Sequence, residues 1–257
     1  MGWGDEIMVT GMARRLQERN PLQVRVVDKR GRPRWSAIWA GNPRLAPPDF
    51  AGPVQLLCNG PGRRPYVERE SDERWVWRDW ICPVGEIHFS ARERAFAARH
   101  AGRVIIEPQL KPGASPNKDW GARRWAELAQ RLLRDQLPVA RFGGLGDALL
   151  PGVEVIPSGN FREACAVLAQ ARLALLPEGG LHHAAAALGT PSVVIFGGFI
   201  SPRQTGYPHQ VNLFTGGKPC GMRRRCAHCL QAMQRISVDE VAAQARMLLA
   251  ASAPAPD

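Results

Sequence analysis

From residue 103 to residue 250, short and continuously apolar runs alternate with segments whose apolar residues recur at helical spacing. A strand that is apolar on both faces must be covered on both. The alternation therefore predicts a parallel sheet between two layers of helices, a doubly wound α/β domain. Strands are predicted at 103–106, 138–142, 153–156, 173–176, 192–196 and 211–214, the second stopped by Gly143-Gly144. Helices are predicted at 120–134, 161–171, 181–188 (closed by Gly189) and 237–250, where Ser237 and Glu240 have the capping-box spacing. The first 102 residues are patchier, with helices at 7–19 and 93–100, strands at 24–28 and 54–58, and long loops rich in proline, glycine and tryptophan. All eight tryptophans lie at or before Trp125 and the halves share no repeat, which places a boundary near Gly102. The expected organisation is a short α/β domain over 1–102, a Rossmann-like domain over 103–250 and a disordered tail over 251–257. Two such domains face to face leave a cleft at the carboxyl ends of their strands, where ligands of open α/β sheets bind.

Charge narrows the partners. The 257 residues carry a net +11, and only Lys29, Lys111, Lys118 and Lys218 are lysines, so 30 of the 34 basic side chains are arginine. Arginine is never neutral and grips phosphate or carboxylate through paired hydrogen bonds, which points to phosphosugars, acidic lipid headgroups or nucleic acid. The basic residues are scattered over many predicted helices and loops. A nucleic-acid-binding module would concentrate them on one element with interleaved aromatics, so that class ranks last. With 45% of residues hydrophobic, disorder and fibrous folds are excluded. No apolar run approaches the ~18–20 residues that span a bilayer. Residues 1–10 carry acids and no long apolar stretch, so the expectation is a cytoplasmic protein. In that compartment six cysteines read as core thiols or metal ligands.

Four motifs can carry chemistry. In G-W-G-D-E, residues 2–6, the chain turns before the first predicted helix, and Asp5 reads either as a general base toward a sugar hydroxyl or as a helix cap. In K-P-G-A-S-P-N-K-D-W-G, residues 111–121, Ser115, Asn117 and the loop amides suit phosphate oxygens and Lys118 adds a positive charge before a helix; the other reading is an ordinary capped loop. Neither the P-loop pattern nor G-x-G-x-x-G is present, which sets aside ATPase, kinase and dinucleotide readings. In P-E-G-G-L-H-H, residues 177–183, Glu178 can accept from a ribose hydroxyl, the amides of Gly179, Gly180 and Leu181 can meet a diphosphate at a helix start, and His183 can donate to it or serve structurally. In C-G-M-R-R-R-C-A-H-C, Cys226 and Cys229 have the spacing of a metal knuckle and Cys220 offers a third ligand. A fourth would be His228, His209 or a distant cysteine, for a structural zinc, and the competing reading is buried reduced thiols. Cys58, Cys82 and Cys165 read as isolated core or loop residues.

Taken in this order the motifs resemble the heptosyltransferase-like enzymes of glycosyltransferase family 9, most strongly over residues 104–249. The resemblance implies a GT-B-like architecture, two Rossmann-like domains facing across a cleft. It also implies transfer of a sugar, typically heptose from ADP-heptose, to a lipopolysaccharide-type or other anionic glycan or glycolipid acceptor, with contact at the inner membrane face where that carrier sits. It implies Asp5 as the base, Lys118 and Ser115 against the donor diphosphate, Glu178 where an aspartate is usual, and His183 as the donor-binding histidine. The implied chemistry is inverting and needs no metal cofactor, although some relatives that glycosylate proteins hold iron with cysteines in the region of Cys220–Cys229. The family places a strand before the G-D turn whereas this sequence begins at Met1-Gly2, so the acceptor side is expected to be cut short or remodelled. A catalytically inactive nucleotide-sugar-binding relative is the alternative within the same fold.

Overall fold

The computed structural model describes residues 1–143 and 150–251. Its first half runs α1 (Trp3–Gln17), β1 (Gln23–Val27), β2 (Val54–Cys58), β3 (Val67–Arg69), β4 (Trp75–Trp77) and α2 (Ala91–Ala98). The second half continues β5 (Val104–Ile106), α3 (Ala122–Arg134), β6 (Val139–Phe142), β7 (Glu154–Ile156), α4 (Phe161–Leu168), β8 (Leu173–Pro177), α5 (Gly180–Leu188), β9 (Ser192–Gly197), α6 (Pro202–Thr205), β10 (Val211–Phe214), α7 (Ala227–Arg235) and α8 (Val238–Ala251). Strands β5 to β10 form one parallel sheet in the order β10-β9-β8-β5-β6-β7. Counted from β5, the chain adds two strands on one side and then three on the other. That is the Rossmann order, and it reverses between β5 and β8.

Alternation along the central strands explains why both faces are covered. Leu173 and Leu175 of β8, with Val104 and Ile106 of β5, join an apolar cluster with Trp125 and Leu128 of α3 and Val241 and Ala245 of α8. Ala174, Leu176 and Ile105 point the other way, to Val167 of α4 and Ala184 of α5. The same second cluster takes in Ile7 and Val9 of α1, Val24 and Val26 of β1, and Trp39. One apolar core therefore runs across residue 102, and α1 lies directly against α5. The first half contributes a two-stranded parallel sheet, β1 with β2, and a separate antiparallel hairpin, β3 with β4.

The elements expected from periodicity are present, with shifts that have physical causes. Helix α1 starts at Trp3, four residues before its expected start, so Gly2 is its N-cap and W-G-D lies inside the first turn and not ahead of it. Helix α4 stops at Leu168, where the Ala169 and Gln170 amides close the last turn onto Cys165 and Val167. The hairpin, α6 and α7 do not follow from the periodicity. Ala251, expected in the tail, is the last residue of α8, while the remaining tail at 252–257 and the stop at Gly144 lie outside the described residues. All six cysteines are free, and no described helix is long and apolar enough to cross a membrane.

Candidate functional site

The reversal of strand order sets the site. The segment after β5, which ends in a short 3-10 turn at Pro116–Lys118, and the turn between β8 and α5 both leave the carboxyl edge of the sheet at its switch point. They enclose a cleft of about 440 Å³ with the first turn of α1, the β3–β4 hairpin and Phe199. The close approach of α1 depends on Gly4. A Cβ there would sit 2.2 Å from Cδ2 of His183, so only glycine lets the two helix starts meet.

This packing brings Asp5 and His183 to one cleft. Asp5 is buried, and its Oδ2 accepts the Gly2 N–H at 3.1 Å, so it is not the cap residue of the plainer reading but the third helical residue reaching back to Gly2. Its Oδ1 accepts the Tyr66 hydroxyl at 2.6 Å, and an Arg64 guanidinium nitrogen lies 3.9 Å from Oδ2. A structural role and that of a base are thus compatible: one oxygen is tied to the helix start and the carboxylate still borders the cleft. Burial, and then the Asp5 carboxylate, push the Tyr66 phenol well above its ordinary value, so Tyr66 acts as a donor throughout the working pH range.

On the opposite wall Lys118 and Glu178 form an ion pair, and the Lys118 ammonium lies 5.4 Å from the centroid of the Phe199 ring. Burial works against charge on Glu178. The Lys118 ammonium, the His182 imidazole and the Thr205 hydroxyl more than offset it and hold the carboxyl below its ordinary value. His182 Nδ1 accepts the Gly179 N–H at 2.9 Å and its Nε2 meets the Thr205 carbonyl at 2.8 Å. The Gly179 amide is therefore already used, which leaves the Gly180 and Leu181 amides at the start of α5 for an anion. Burial lowers both imidazoles, His183 the further of the two, so both are neutral donors and acceptors.

The loop residues divide in a way the sequence did not show. Ser115 borders the cleft, and its hydroxyl donates to the Met222 carbonyl at 3.1 Å. Asn117 is buried outside the cleft lining: its Nδ2 donates to the Met222 carbonyl at 2.7 Å and the Arg224 carbonyl at 2.6 Å, and its Oδ1 accepts the Cys226 N–H at 3.1 Å. Asn117 therefore holds the cysteine loop, which replaces the phosphate contact expected of it.

That loop brings Cys220, Cys226, His228 and Cys229 together, with all four candidate ligand atoms within 4.8 Å of one another. The Cys220 sulfur lies 3.1 Å from that of Cys229 and 3.8 Å from that of Cys226, and His228 Nδ1 is 3.9 Å from the Cys229 sulfur. His228 Nε2 meets the Gly216 carbonyl at 2.8 Å, which fixes the proton there and turns Nδ1 toward the sulfurs. Donation from Cys229 and the Met222 amide lowers the Cys220 thiol. Three sulfurs and one imidazole nitrogen at these separations fit a tetrahedral zinc or iron site, with His228 as the fourth ligand. His209 is not part of it and contacts the Ala186 carbonyl at 3.2 Å.

Several cleft residues escaped the sequence reading. Arg64 stacks over Trp75 at 4.4 Å, Trp77 donates its indole N–H to the Phe199 carbonyl at 2.9 Å, and Arg223 lies over Trp75 at 5.5 Å. A second groove of about 910 Å³ adjoins the cleft; its lining includes Arg63, Arg64, Arg69, Arg78, Lys111 and Arg223 against the acids Asp5 and Glu68. The alternation of tryptophan in W-V-W was the one available signal for the hairpin wall.

The sequence model of glycosyltransferase family 9 (heptosyltransferase) matches residues 83–234, more than half of the chain. No curated protein matches the sequence. Among solved structures, a family 9 glycosyl transferase from Veillonella parvula is 16% identical, with 98% of this chain and 95% of that one covered and a TM-score of 0.69. The E. coli ADP-heptose lps heptosyltransferase II is 20% identical over 66% of this chain and 54% of its own, with a TM-score of 0.50. An iron-containing dodecameric glycosyltransferase, TibC, from enterotoxigenic E. coli is 19% identical over 60% of this chain and 46% of its own, with a TM-score of 0.48. The chain spans about half the length of these two E. coli proteins. At such identities the first two likenesses establish the fold, the GT-B-like α/β architecture.

Proposed function

This chain belongs to glycosyltransferase family 9, the heptosyltransferase family, and on that premise we propose that it moves a sugar from a nucleoside diphosphate donor to an acceptor hydroxyl in one inverting displacement. The convergence of Asp5 with the switch-point turn in a single cleft carries the reading. The donor diphosphate lies at the start of α5, against the Gly180 and Leu181 amides, His183 and Lys118, with Ser115 bordering it and turning its hydroxyl from the Met222 carbonyl when the anion binds. Lys118 comes to it from its seat on Glu178. The acceptor hydroxyl meets Asp5, and the groove rich in arginine takes the anionic remainder of the acceptor. As the acceptor oxygen bonds to the anomeric carbon, the bond from that carbon to the diphosphate breaks and its electron pair leaves with the phosphate. Asp5 takes the hydroxyl proton, while the amides, Lys118 and His183 stabilise the departing charge.

In its finer form the proposal names heptose as the sugar, ADP as its carrier and a lipopolysaccharide-type or other anionic glycan as acceptor. Residues 1–102 form the acceptor side and 103–250 the donor side. The reaction runs in the cytoplasm, at the inner membrane face when the acceptor is a glycolipid. No step is routed through a metal; Cys220, Cys226, His228 and Cys229 hold a zinc or iron whose part is to cross-link the loop.

Calorimetric titration with ADP, UDP and GDP, followed by a turnover assay with the matching sugar nucleotide, tests this. Asp5→Asn is expected to lower turnover by about 100-fold or more, the usual range for a general base, with nucleotide affinity unchanged. Lys118→Ala is expected to weaken nucleotide binding about tenfold, in keeping with one hydrogen bond to a charged group. Binding without turnover would favour a nucleotide-sugar-binding relative, and absence of binding to all three nucleotides would overturn the proposal.

A further inference from the structure

Behind His183, away from the cleft, lies a buried chain of polar groups that the proposed chemistry does not use. Tyr207 is 1% exposed and stands edge-on to the His183 ring at a centroid distance of 5.6 Å. Its hydroxyl is 2.7 Å from His183 Nδ1 and 3.1 Å from the Cys82 sulfur. His183 Nε2 lies on the other side of the ring, 2.8 Å from where a Cβ on Gly4 would stand, and the residue borders the cleft.

Two hydrogen bonds link the three groups, and their protons can be ordered in two ways. In one, Cys82 S–H donates to the Tyr207 oxygen, Tyr207 O–H donates to Nδ1, and the imidazole proton sits on Nε2. In the other, Nδ1–H donates to the phenol, the phenol donates to sulfur, and Nε2 is left as an acceptor. A phenol O–H is a far stronger donor than a thiol, and an imidazole nitrogen is a far stronger acceptor than a thiol sulfur. The first order matches the strong donor with the strong acceptor, and the second places the strong donor on sulfur. The adjacent His182 shows the same arrangement, since its Nδ1 accepts from the Gly179 amide and its Nε2 is therefore the protonated nitrogen.

We propose that Tyr207, backed by Cys82, is a positioning residue that donates to His183 Nδ1 and so fixes the proton of that imidazole on Nε2, as a neutral donor aimed into the cleft. The assignment of the proton stands on the hydrogen bonds; its value to nucleotide binding rests on the function proposed above. A tautomer fixed in advance needs no proton rearrangement when an anion arrives.

Long-range proton–nitrogen correlation spectra of the full chain labelled at histidine give the first reading and require no variant. The expected result for His183 is a protonated Nε2 and an unprotonated Nδ1 at pH 7.5; a proton on Nδ1 would overturn the proposal. Tyr207→Phe is expected to give an exchanging mixture of tautomers and to weaken the tightest of ADP, UDP and GDP about three- to tenfold, the worth of one neutral hydrogen bond. In a His183→Gln background the same substitution should leave affinity unchanged. Equal losses in both backgrounds would make Tyr207 a packing residue only and would also overturn the proposal. The expected spectrum in a protein that binds none of the three nucleotides would count against the proposed function and leave the proton assignment intact.

Discussion

Gly4 shows how one small residue places a reactive one. In the middle of an exposed helix, replacing glycine by alanine stabilises by up to about 1 kcal/mol, but here the added methyl would fall 2.2 Å from the His183 ring. We expect Gly4→Ala to destabilise by about 1–3 kcal/mol, the usual range for overpacking, and to weaken nucleotide binding by displacing His183. Thermal unfolding and calorimetry check both; a stabilised variant would show that α1 does not press on α5. The neighbouring histidines carry a pH dependence of definite sign. Burial lowers His182 and His183, so below about pH 6.5 the unfolded chain takes up protons that the native imidazoles refuse. Stability is therefore complete above that pH and falls as pH drops toward the lowered native values, by up to about 1.4 kcal/mol per pH unit for each group. Denaturant unfolding between pH 8 and 5 should show the decline, and His183→Gln should remove its share of the slope. The sequence made Asp5, Lys118, Glu178 and His183 legible because glycines beside a helix start and paired histidines are visible in one dimension. It could not show that Lys118 and Glu178 partner each other or that Asn117 turns away, because those contacts join positions 60 and 105 to 109 residues apart.

The loop that carries the cysteines joins three elements. Asn117 in the segment after β5 takes the Met222 and Arg224 carbonyls and the Cys226 amide. On the other side the Trp75 amide of β4 donates to the Gly221 carbonyl at 3.0 Å, and the Arg223 amide donates to the Glu73 carbonyl at 2.8 Å. Cys229 on α7 closes the set, so both walls of the cleft hang on one short stretch of chain. Protein purified without oxygen is expected to hold about one zinc or iron per chain, the stoichiometry of a four-ligand site. Removing the metal with a chelator should speed amide exchange at Cys226, Trp75 and Arg223 together, and Asn117→Ala should do so at Cys226 first. Exchange that does not respond to chelation would sever the link between the centre and the walls. The long elements were legible because four or more apolar positions at one period can be counted. Strand β3 reads V-E-R, with no apolar run, and W-V-W of β4 lies among charged residues, while the start of α7, Ala227 to Cys229, falls inside the ligand motif.

For the whole molecule, the question is what keeps the two halves in one geometry around the cleft. The shift in tryptophan content at residue 102 suggests two units, yet the apolar core is continuous across it, so the proposed division concerns which ligand each side takes. Among the polar contacts that support that core, one arginine makes a fan of hydrogen bonds. Arg162 on α4 reaches into the first half, donating Nε and Nη2 to the two oxygens of Glu93 on α2 at 2.6 and 2.8 Å. Its guanidinium also donates to the Ala37 and Ile38 carbonyls at 3.2 Å and the His88 carbonyl at 2.5 Å. As one of 30 arginines it carried no signal in the sequence. Its removal would leave a half-buried carboxylate held only by Ser90 and three carbonyls without the guanidinium, so Arg162→Ala is expected to destabilise by about 2–3 kcal/mol, the range for hydrogen bonds to a charged group, or roughly 5–10 °C in a chain of this size. Arg162→Lys should restore little, because an ammonium cannot span that fan of acceptors. The hydrogen bonds from Arg162, helped by those from Ser90, hold the Glu93 carboxyl down at about 2, against the ordinary 4.5. A carboxyl lowered in the native state lends stability that is complete above about pH 4.5 and is lost as pH falls through the native value near 2. Acid unfolding of the wild type should therefore steepen in that interval, and Arg162→Ala should flatten it. An acid transition of the same slope in both proteins would show that the halves are held by apolar packing alone.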